Sequence, residues 1–387
     1  MKRHQHYYYG NKILWQYAYC DICKLRDFPV SPTSFALCPL PFALVCHVYS
    51  IAEDAYEFGN PLSDRILYVM STKRAIVLTG SIAIDRIMSF SGSYSDHLHA
   101  EKLESVSVSI FLDSLTDSHG GVAANIAYTL ALLGDEPYLL GSVGPDAVEY
   151  MEKLARHGVN IAHLHESKLP TASFNVITDR DQNQVGGFYP GAMFDSGELH
   201  LEAWRDTDAI VVVSPHDPKT MRRQIEQCRE LGLTLCYDIG QQVSNAPAED
   251  LAAGVEAAEI LILNDYELLI LSKKIGRSIA AICAATPLVI TTLGPEGSRA
   301  AGKHVPTPLA IGVATPEKVA DPTGAGDAYR AGFLYGYARG WPLQASLQLG
   351  ATCASFAIET VGTQTHECTR EDITARYETS FHETITL

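Results

Sequence analysis

A chain of 387 residues, 47% hydrophobic and 19% charged, can fill a large core and is neither disordered nor fibrous in composition. Its 29 Lys and Arg stand against 45 Asp and Glu, a formal charge of −16 that repels phosphate backbones and anionic lipid. General nucleic-acid or membrane-surface binding is therefore not expected, although a local loop can still hold a small anion against the global charge.

The leading 69 residues differ from the rest: they hold four of the nine cysteines and eight of the 19 tyrosines, and their charges balance. Cys20-x-x-Cys23 has the spacing of half a zinc site, but Cys38 and Cys46 do not complete a second pair at standard spacing. An added interaction or targeting segment is a second reading. The preferred third reading is a start at Met70, which makes residues 1–69 a dispensable extension and residues 70–387 the functional domain. The most apolar stretch, residues 35–52, is broken by Pro39, Pro41 and His47, so no spanning helix is expected. Neither an apolar signal core nor a regular cysteine framework is present, which points to a reducing, cytoplasmic setting.

From Met70 onward, short apolar runs alternate with amphipathic segments. Runs at 75–79, 137–143, 209–214, 233–238, 260–263 and 288–291 read as buried strands. Segments at 122–133, 147–157, 219–231 and 344–358 read as helices. Such alternation gives an α/β domain with a mostly parallel sheet covered on both faces. Residues 104–115 and 172–188 break the rhythm with two-residue alternation, and predict a small β lid over one end of the sheet (within about 104–118 and 172–190).

The most informative segment is Asp321-Pro-Thr-Gly324-Ala325-Gly326-Asp327, which leads into an apolar helical run. A glycine turn that opens a helix makes an anion site, because unpaired N–H groups and the positive end of the helix dipole face the ligand. An ionised carboxylate beside such a site can take the proton of an alcohol attacking phosphorus. A plain helix start with an acidic first turn is the alternative. The Gly-Lys-Ser/Thr ending of a P-loop is absent, and a dinucleotide fingerprint belongs near a domain's first strand.

Asp-x-Thr-Gly-Ala-Gly-Asp followed by a glycine-containing helix resembles the C-terminal signature of the ribokinase-like (PfkB) carbohydrate kinases. Gly120-Gly121-x-x-x-Asn125, Asn264-x-x-Glu267 and Thr291-Thr292-Leu-Gly294-Pro-Glu-Gly297 resemble the family's other motifs, in the family's order. The resemblance runs from residue 75 to the C-terminus. Its stretches Phe188-Tyr-Pro-Gly-Ala-Met193, Tyr329-Arg330-Ala-Gly-Phe333 and Gly362-Thr-Gln364 are closer to the bacterial adenosine-kinase branch, of the actinobacterial type.

The resemblance implies a ribokinase-like three-layer αβα domain and ATP-dependent transfer to a hydroxyl, that of adenosine before a sugar, inosine or guanosine. It makes Asp327 the base, with Gly324, Ala325 and Gly326 as the anion hole. Glu267 would organise Mg²⁺ through water, and Asn264, Thr292, Gly294 and Gly297 would lie at the nucleotide. Asn-x-x-Glu is equally the pattern of a capping box. Ser81, Asp85, Ser109, Gly120, Gly121 and Asn125 would meet the ribose.

Phe174 and Phe188 would wall the base, with lid packing or a subunit interface as the alternative, and Gln241 and Gln242 would reach its edges. The loop from Asp238 reads Ile-Gly-Gln-Gln where the branch has Pro-Ser-Gln-Gln. Arg330, on the helix face of Asp327, has three readings: steadying Asp327, touching a phosphate of the nucleotide, or forming a surface salt bridge. A monovalent cation such as K⁺ and a homodimer through the lid strands complete the expectations.

Overall fold

The protein is described here by a computed structural model, covering residues 73–97, 108–197 and 199–387 and two short strands near the start. In the leading unit, Met1–Val69, strands β1 (Tyr7–Tyr9) and β2 (Lys12–Leu14) pair antiparallel. The Cys20/Cys23 spacing and the rest of the leading segment lie outside the described residues, as do residues 98–107.

The second unit, Met70–Leu387, carries the remaining strands. In chain order they are β3 (Ile76–Thr79), β4 (Ala83–Ser89), β5 (Ser114–Gly120), β6 (Tyr138–Leu140), β7 (Ser142–Val143), β8 (His165–Glu166) and β9 (Ala172–Thr178). There follow β10 (Gln184–Tyr189), β11 (Ile210–Val213), β12 (Thr234–Asp238), β13 (Ile260–Asn264), β14 (Leu288–Thr292), β15 (Ser298–Gly302) and β16 (Val305–Ile311). The longer helices are α1 (Val122–Leu132), α2 (Val148–Arg156), α3 (Pro218–Leu231), α4 (Ala248–Ala257), α5 (Asp265–Ile275), α6 (Ile279–Ala285), α7 (Ala325–Tyr337), α8 (Leu343–Ala357) and α9 (Arg370–Phe381).

Eight strands form the main sheet in the order β16-β15-β14-β13-β12-β11-β3-β6. The six from β14 to β6 are parallel, and β15 and β16 close one edge antiparallel. Strand β11 is Ile-Val-Val-Val with every residue buried, as a strand covered on both faces requires. One face packs through Val77, Val211, Leu235, Leu261 and Val289 against Met221 and Ile225 of α3, Leu251 of α4, Leu268 of α5 and Ile282 of α6. On the other side α1 lies against β3 and β6, and α7 packs on α1 and α8. Gly332 and Gly350 let α7 and α8 close up: a Cβ on Gly332 would stand 2.5 Å from the Leu349 carbonyl, and one on Gly350 2.8 Å from that of Tyr329.

A second sheet, β10-β9-β4-β5, crosses the rhythm. It differs from the sequence reading in two places and agrees with it in one. Strand β4, which carries Asp85, forms where the sequence reading assigned no strand. The run at 172–188 folds as the hairpin β9–β10. Of the run at 104–115, the described residues 108–113 are irregular, and the strand is Ser114–Gly120 instead. The partner strand dictates this: Ser114 pairs with Ser89, the last residue of β4, so the preceding residues have no ladder to join. The run at 137–143 also divides, because Gly141 turns the chain from β6 in the main sheet to β7, which pairs with β8. Among the described residues no helix is long and apolar enough to cross a membrane. Cys228, Cys236, Cys283, Cys353 and Cys368 are free thiols.

Candidate active site

Ligand crevices in open parallel sheets form beyond the carboxyl ends of the strands. Here those ends deliver Ser81 after β3, Asp238 at the end of β12, Asn264 at the end of β13 and Thr292 at the end of β14. Asn264 and Thr292 are register partners and stand side by side.

The glycine turn meets these ends at the start of α7. Asp321 anchors it, accepting from the Thr323 N–H at 2.9 Å and the Gly362 N–H at 3.1 Å. Gly324 then takes φ +82° as the helix N-cap, a left-handed conformation that side chains other than glycine's rarely adopt. Ala325, Gly326 and Asp327 form the first turn, where a helix lacks partners one turn back; the Ala325 N–H, expected in the anion hole, instead donates to the Pro322 carbonyl at 3.3 Å inside the turn.

The Asp327 carboxylate accepts a 2.8 Å hydrogen bond on Oδ2 from Nδ2 of Asn125 in α1. Burial pushes its pKa up to about 6; Arg330 and the Asn125 bond oppose that, while Asp238 and Glu267 add to it. Arg330 donates to Asp238 at 2.7 Å, with the two residues 8% and 0% exposed. This excludes a surface salt bridge. Burial disfavours the guanidinium charge, but Asp238, Asp327 and Glu267 outweigh it and hold Arg330 protonated.

Asn264 and Glu267 make the reciprocal capping box of α5: Asn264 Oδ1 accepts from the Glu267 N–H at 2.7 Å, and Glu267 Oε2 from the Asn264 N–H at 2.8 Å. The structural alternative is thus real, and it does not exhaust Glu267, whose pKa is raised by burial beside Arg330 and Asp238. Gly294 and Gly297, with φ of +57° and +88°, make the turn after β14. A Cβ on Gly297 would strike the Ile311 carbonyl at 2.1 Å.

The lid side is built in cross-strand rows. Ser118, Asp85, Phe174 and Phe188 are register partners across β5, β4, β9 and β10, so the four share one face of the sheet. Burial raises the Asp85 carboxyl to about 6. Gly120 leaves it room, since a Cβ there would lie 2.3 Å from Asp85 Oδ2. Gly121, at φ +97°, would meet the Ser81 carbonyl at 2.5 Å if it bore a side chain. Phe174 and Phe188 are 39% and 49% exposed, apolar surface available to a flat ligand.

Other expected residues have local duties. Ser81 Oγ accepts from the Val122 N–H at 3.0 Å and secures the start of α1. Gln242 donates to the His216 carbonyl at 2.9 Å, while Gln241 before it is exposed. Ser109 is exposed on the irregular run before β5, apart from the strands that carry Asp85 and Gly120.

The sequence reading gave no role to three residues. Asp238 is the buried partner of Arg330, and an acid ending an apolar strand was its signal. Gln364 and Tyr150 complete a buried chain: Gln364 Nε2 donates to Asn125 Oδ1 at 2.9 Å and to the Tyr150 oxygen at 2.6 Å, and Tyr150 donates to the Gly120 carbonyl at 2.7 Å.

Known proteins match this arrangement. Residues 82–370 fit the profile of the pfkB family carbohydrate kinases. The nucleoside kinase of Methanothermobacter thermautotrophicus is 32% identical over 305 residues, 77% of this chain and 93% of that one. Burkholderia thailandensis nucleoside kinase in complex with inosine has a TM-score of 0.71 at 31% identity, over 80% of this chain and 100% of that one. Methanocaldococcus jannaschii nucleoside kinase, a member of the ribokinase family, has a TM-score of 0.71 at 29% identity, over 80% and 99%. The chain belongs to the pfkB family: it has the ribokinase-like α/β fold and is a kinase with a hydroxyl acceptor.

Proposed function

We propose that this pfkB-family chain transfers the γ-phosphoryl group of ATP to the 5′-hydroxyl of a purine nucleoside, adenosine or inosine. The observation that carries the reading is Asp327: a carboxyl at the opening of α7, held by Asn125, while Asp85 and two aromatic rings share one row of the second sheet. With a pKa near 6, Asp327 is mostly ionised at neutral pH yet basic enough to take a hydroxyl proton.

In this reading Asp85 accepts from the ribose hydroxyls, and the base lies against Phe174 and Phe188. As the substrate oxygen loses its proton to Asp327 it attacks the γ-phosphorus, and the bond from that phosphorus to the bridging oxygen of ADP breaks. The N–H groups of Gly324 and Gly326 face the charge carried by the transferred group, where fixed donors are worth most, and Ala325 joins them when its N–H leaves the Pro322 carbonyl. Mg²⁺ favours oxygen donors and keeps several waters, which suits Glu267 and Asn264 as the residues that would hold it with the nucleotide phosphates. When bound it supplies charge neutralisation.

Adenosine follows from the motif resemblance, and inosine from the complex of the Burkholderia thailandensis relative. The test is ATP/Mg²⁺-dependent turnover by the full chain on adenosine, inosine, guanosine, cytidine, ribose and fructose. A preference for adenosine or inosine is expected. A preference for ribose or fructose would keep the kinase and overturn the roles of Phe174, Phe188, Gln241 and Gln242.

The lid closes over the nucleoside in this scheme, and a second copy of the chain covers its opposite face, where Leu115 and Val185 are exposed. Residues 1–69 take no part in it.

A further inference from the structure

We propose that Gln364 is a positioning residue: it fixes the amide of Asn125 so that Asn125 turns N–H, and not C=O, toward Asp327. The inference rests on the reading of Asp327 as the base.

Three buried side chains link the Gly120 carbonyl of the lid strand to Asp327 at the helix start. Asn125, Gln364 and Tyr150 are 5%, 2% and 2% exposed, so water does not supply their partners. At one end the Asp327 carboxylate only accepts, and at the other the Gly120 carbonyl only accepts. Both ends are satisfied when hydrogens run outward from the middle. The Gln364 NH₂ is that middle, giving one hydrogen to Asn125 Oδ1 and the other to the Tyr150 oxygen. Tyr150 then has its own hydrogen for Gly120, and Asn125 has Nδ2 for Asp327.

Reversing the Gln364 amide would put its oxygen against the Asn125 oxygen. Asn125 would then have to turn, and its carbonyl would meet the carboxylate. The cost of the observed arrangement is visible: Gln364 Oε1 is buried without a partner.

The backbone holds Gln364 in place as well. Lys153 of α2 donates to the Gln364 carbonyl at 3.0 Å, and Thr363 donates to the His119 carbonyl at 2.8 Å. Residues 363–364 are thus tied to α2 and to β5. The Asn125 bond occupies Oδ2 of Asp327 and leaves Oδ1 to receive the substrate proton. The charges acting on Asp327 are Arg330 on its own helix, Asp238 from β12 and Glu267 from α5; Asn125 from α1 is the neutral donor among them.

The test is the pH profile of kcat for the full chain with Asp327→Asn, Gln364→Met and Gln364→Glu. Gln364→Met removes the donor and keeps the length; Gln364→Glu keeps the shape and replaces the donor by an acceptor. Each should move the acid limb up, by about half to one pH unit for Met and further for Glu, since loss of a donor to a carboxylate favours its protonated form. Turnover at neutral pH should fall by up to about twofold for Met and further for Glu, and recover as the pH rises past the new midpoint. A merely structural role would lower kcat at every pH and leave the midpoint in place.

An unmoved acid limb in both Gln364 variants, with Asp327→Asn inactive, overturns the proposal and spares the base assignment. Sustained turnover by Asp327→Asn overturns both.

Discussion

Burial favours the protonated form of two carboxyls, one on the second sheet and one at the start of α7, and steady-state kinetics can separate them. Burial raises both Asp85 and Asp327 to about 6. In the free enzyme each must be ionised, Asp85 to accept from the ribose and Asp327 to act as base. At pH 5 a group with that pKa is about one-tenth ionised, so two such groups leave about one molecule in a hundred competent. In the nucleoside complex the ribose hydroxyls hold Asp85 ionised, and only Asp327 titrates.

With MgATP saturating, kcat/KM for the nucleoside should therefore fall about a hundredfold from neutral pH to pH 5, and kcat about tenfold. The terminal phosphate of ATP titrates in the same range, but it is bound in both measurements and cancels from their comparison. Asp85→Asn should bring the two slopes together while raising KM by an order of magnitude or more, the worth of hydrogen bonds to a charged acceptor. The assay is ADP release between pH 4.5 and 8. Equal slopes in the wild-type chain, or a slope of kcat/KM indifferent to Asp85→Asn, would refute the assignment of the two acids.

Three further outcomes are expected. Phe188→Ala should raise KM for a purine nucleoside about tenfold and leave residual turnover of ribose unchanged, as loss of a stacking surface worth about 1–3 kcal/mol requires; equal effects on both would place the ring in lid packing instead. Arg330→Met leaves the buried Asp238 carboxylate unpaired and should cost about 3–5 kcal/mol of stability in denaturant unfolding, an effect that a surface pair would not give. A chain beginning at Met70 should keep the kcat and KM of the full chain; loss of either would give residues 1–69 a part in the site.

The main sheet was legible because buried parallel strands are continuous apolar runs, as at Ile210–Val213, and their helices carry a one-sided stripe. The second sheet was harder to read. Strand β4, Ala-Ile-Asp-Arg-Ile-Met-Ser, has charged residues in its middle, and a polar strand looks like a loop.

The glycine turn and Asp327 were legible from spacing alone. Gln364 and Tyr150 were not: each is an ordinary polar residue until the fold brings residues 125, 150 and 364 together, and no local pattern encodes hydrogen bonds between positions more than 200 apart. Asn264 and Glu267 show the converse. Their capping box is present, with Asn264 at the carboxyl end of β13 and Glu267 in the first turn of α5, so one pattern that starts a helix also stands where the strand ends gather.

The basicity of Asp327 depends on where Arg330, the positive charge acting on it among the described residues, is committed. Arg330 lies one helical turn from Asp327, and a direct pair would hold that carboxyl well below its ordinary range. Instead Asp238, fully buried at the end of β12, takes the guanidinium at 2.7 Å, and Asp327 feels Arg330 only through space. Burial then dominates, and the base settles near 6. The glycine at position 326 is part of the same arrangement, since a Cβ there would lie 2.8 Å from Arg330 Nη1 and crowd the guanidinium between the two acids. In the proposed reaction, an acid at the end of β12, an arginine on α7 and a glycine beside that arginine thus leave the helix start to a phosphoryl group, while the neighbouring carboxylate stays basic enough to accept a proton.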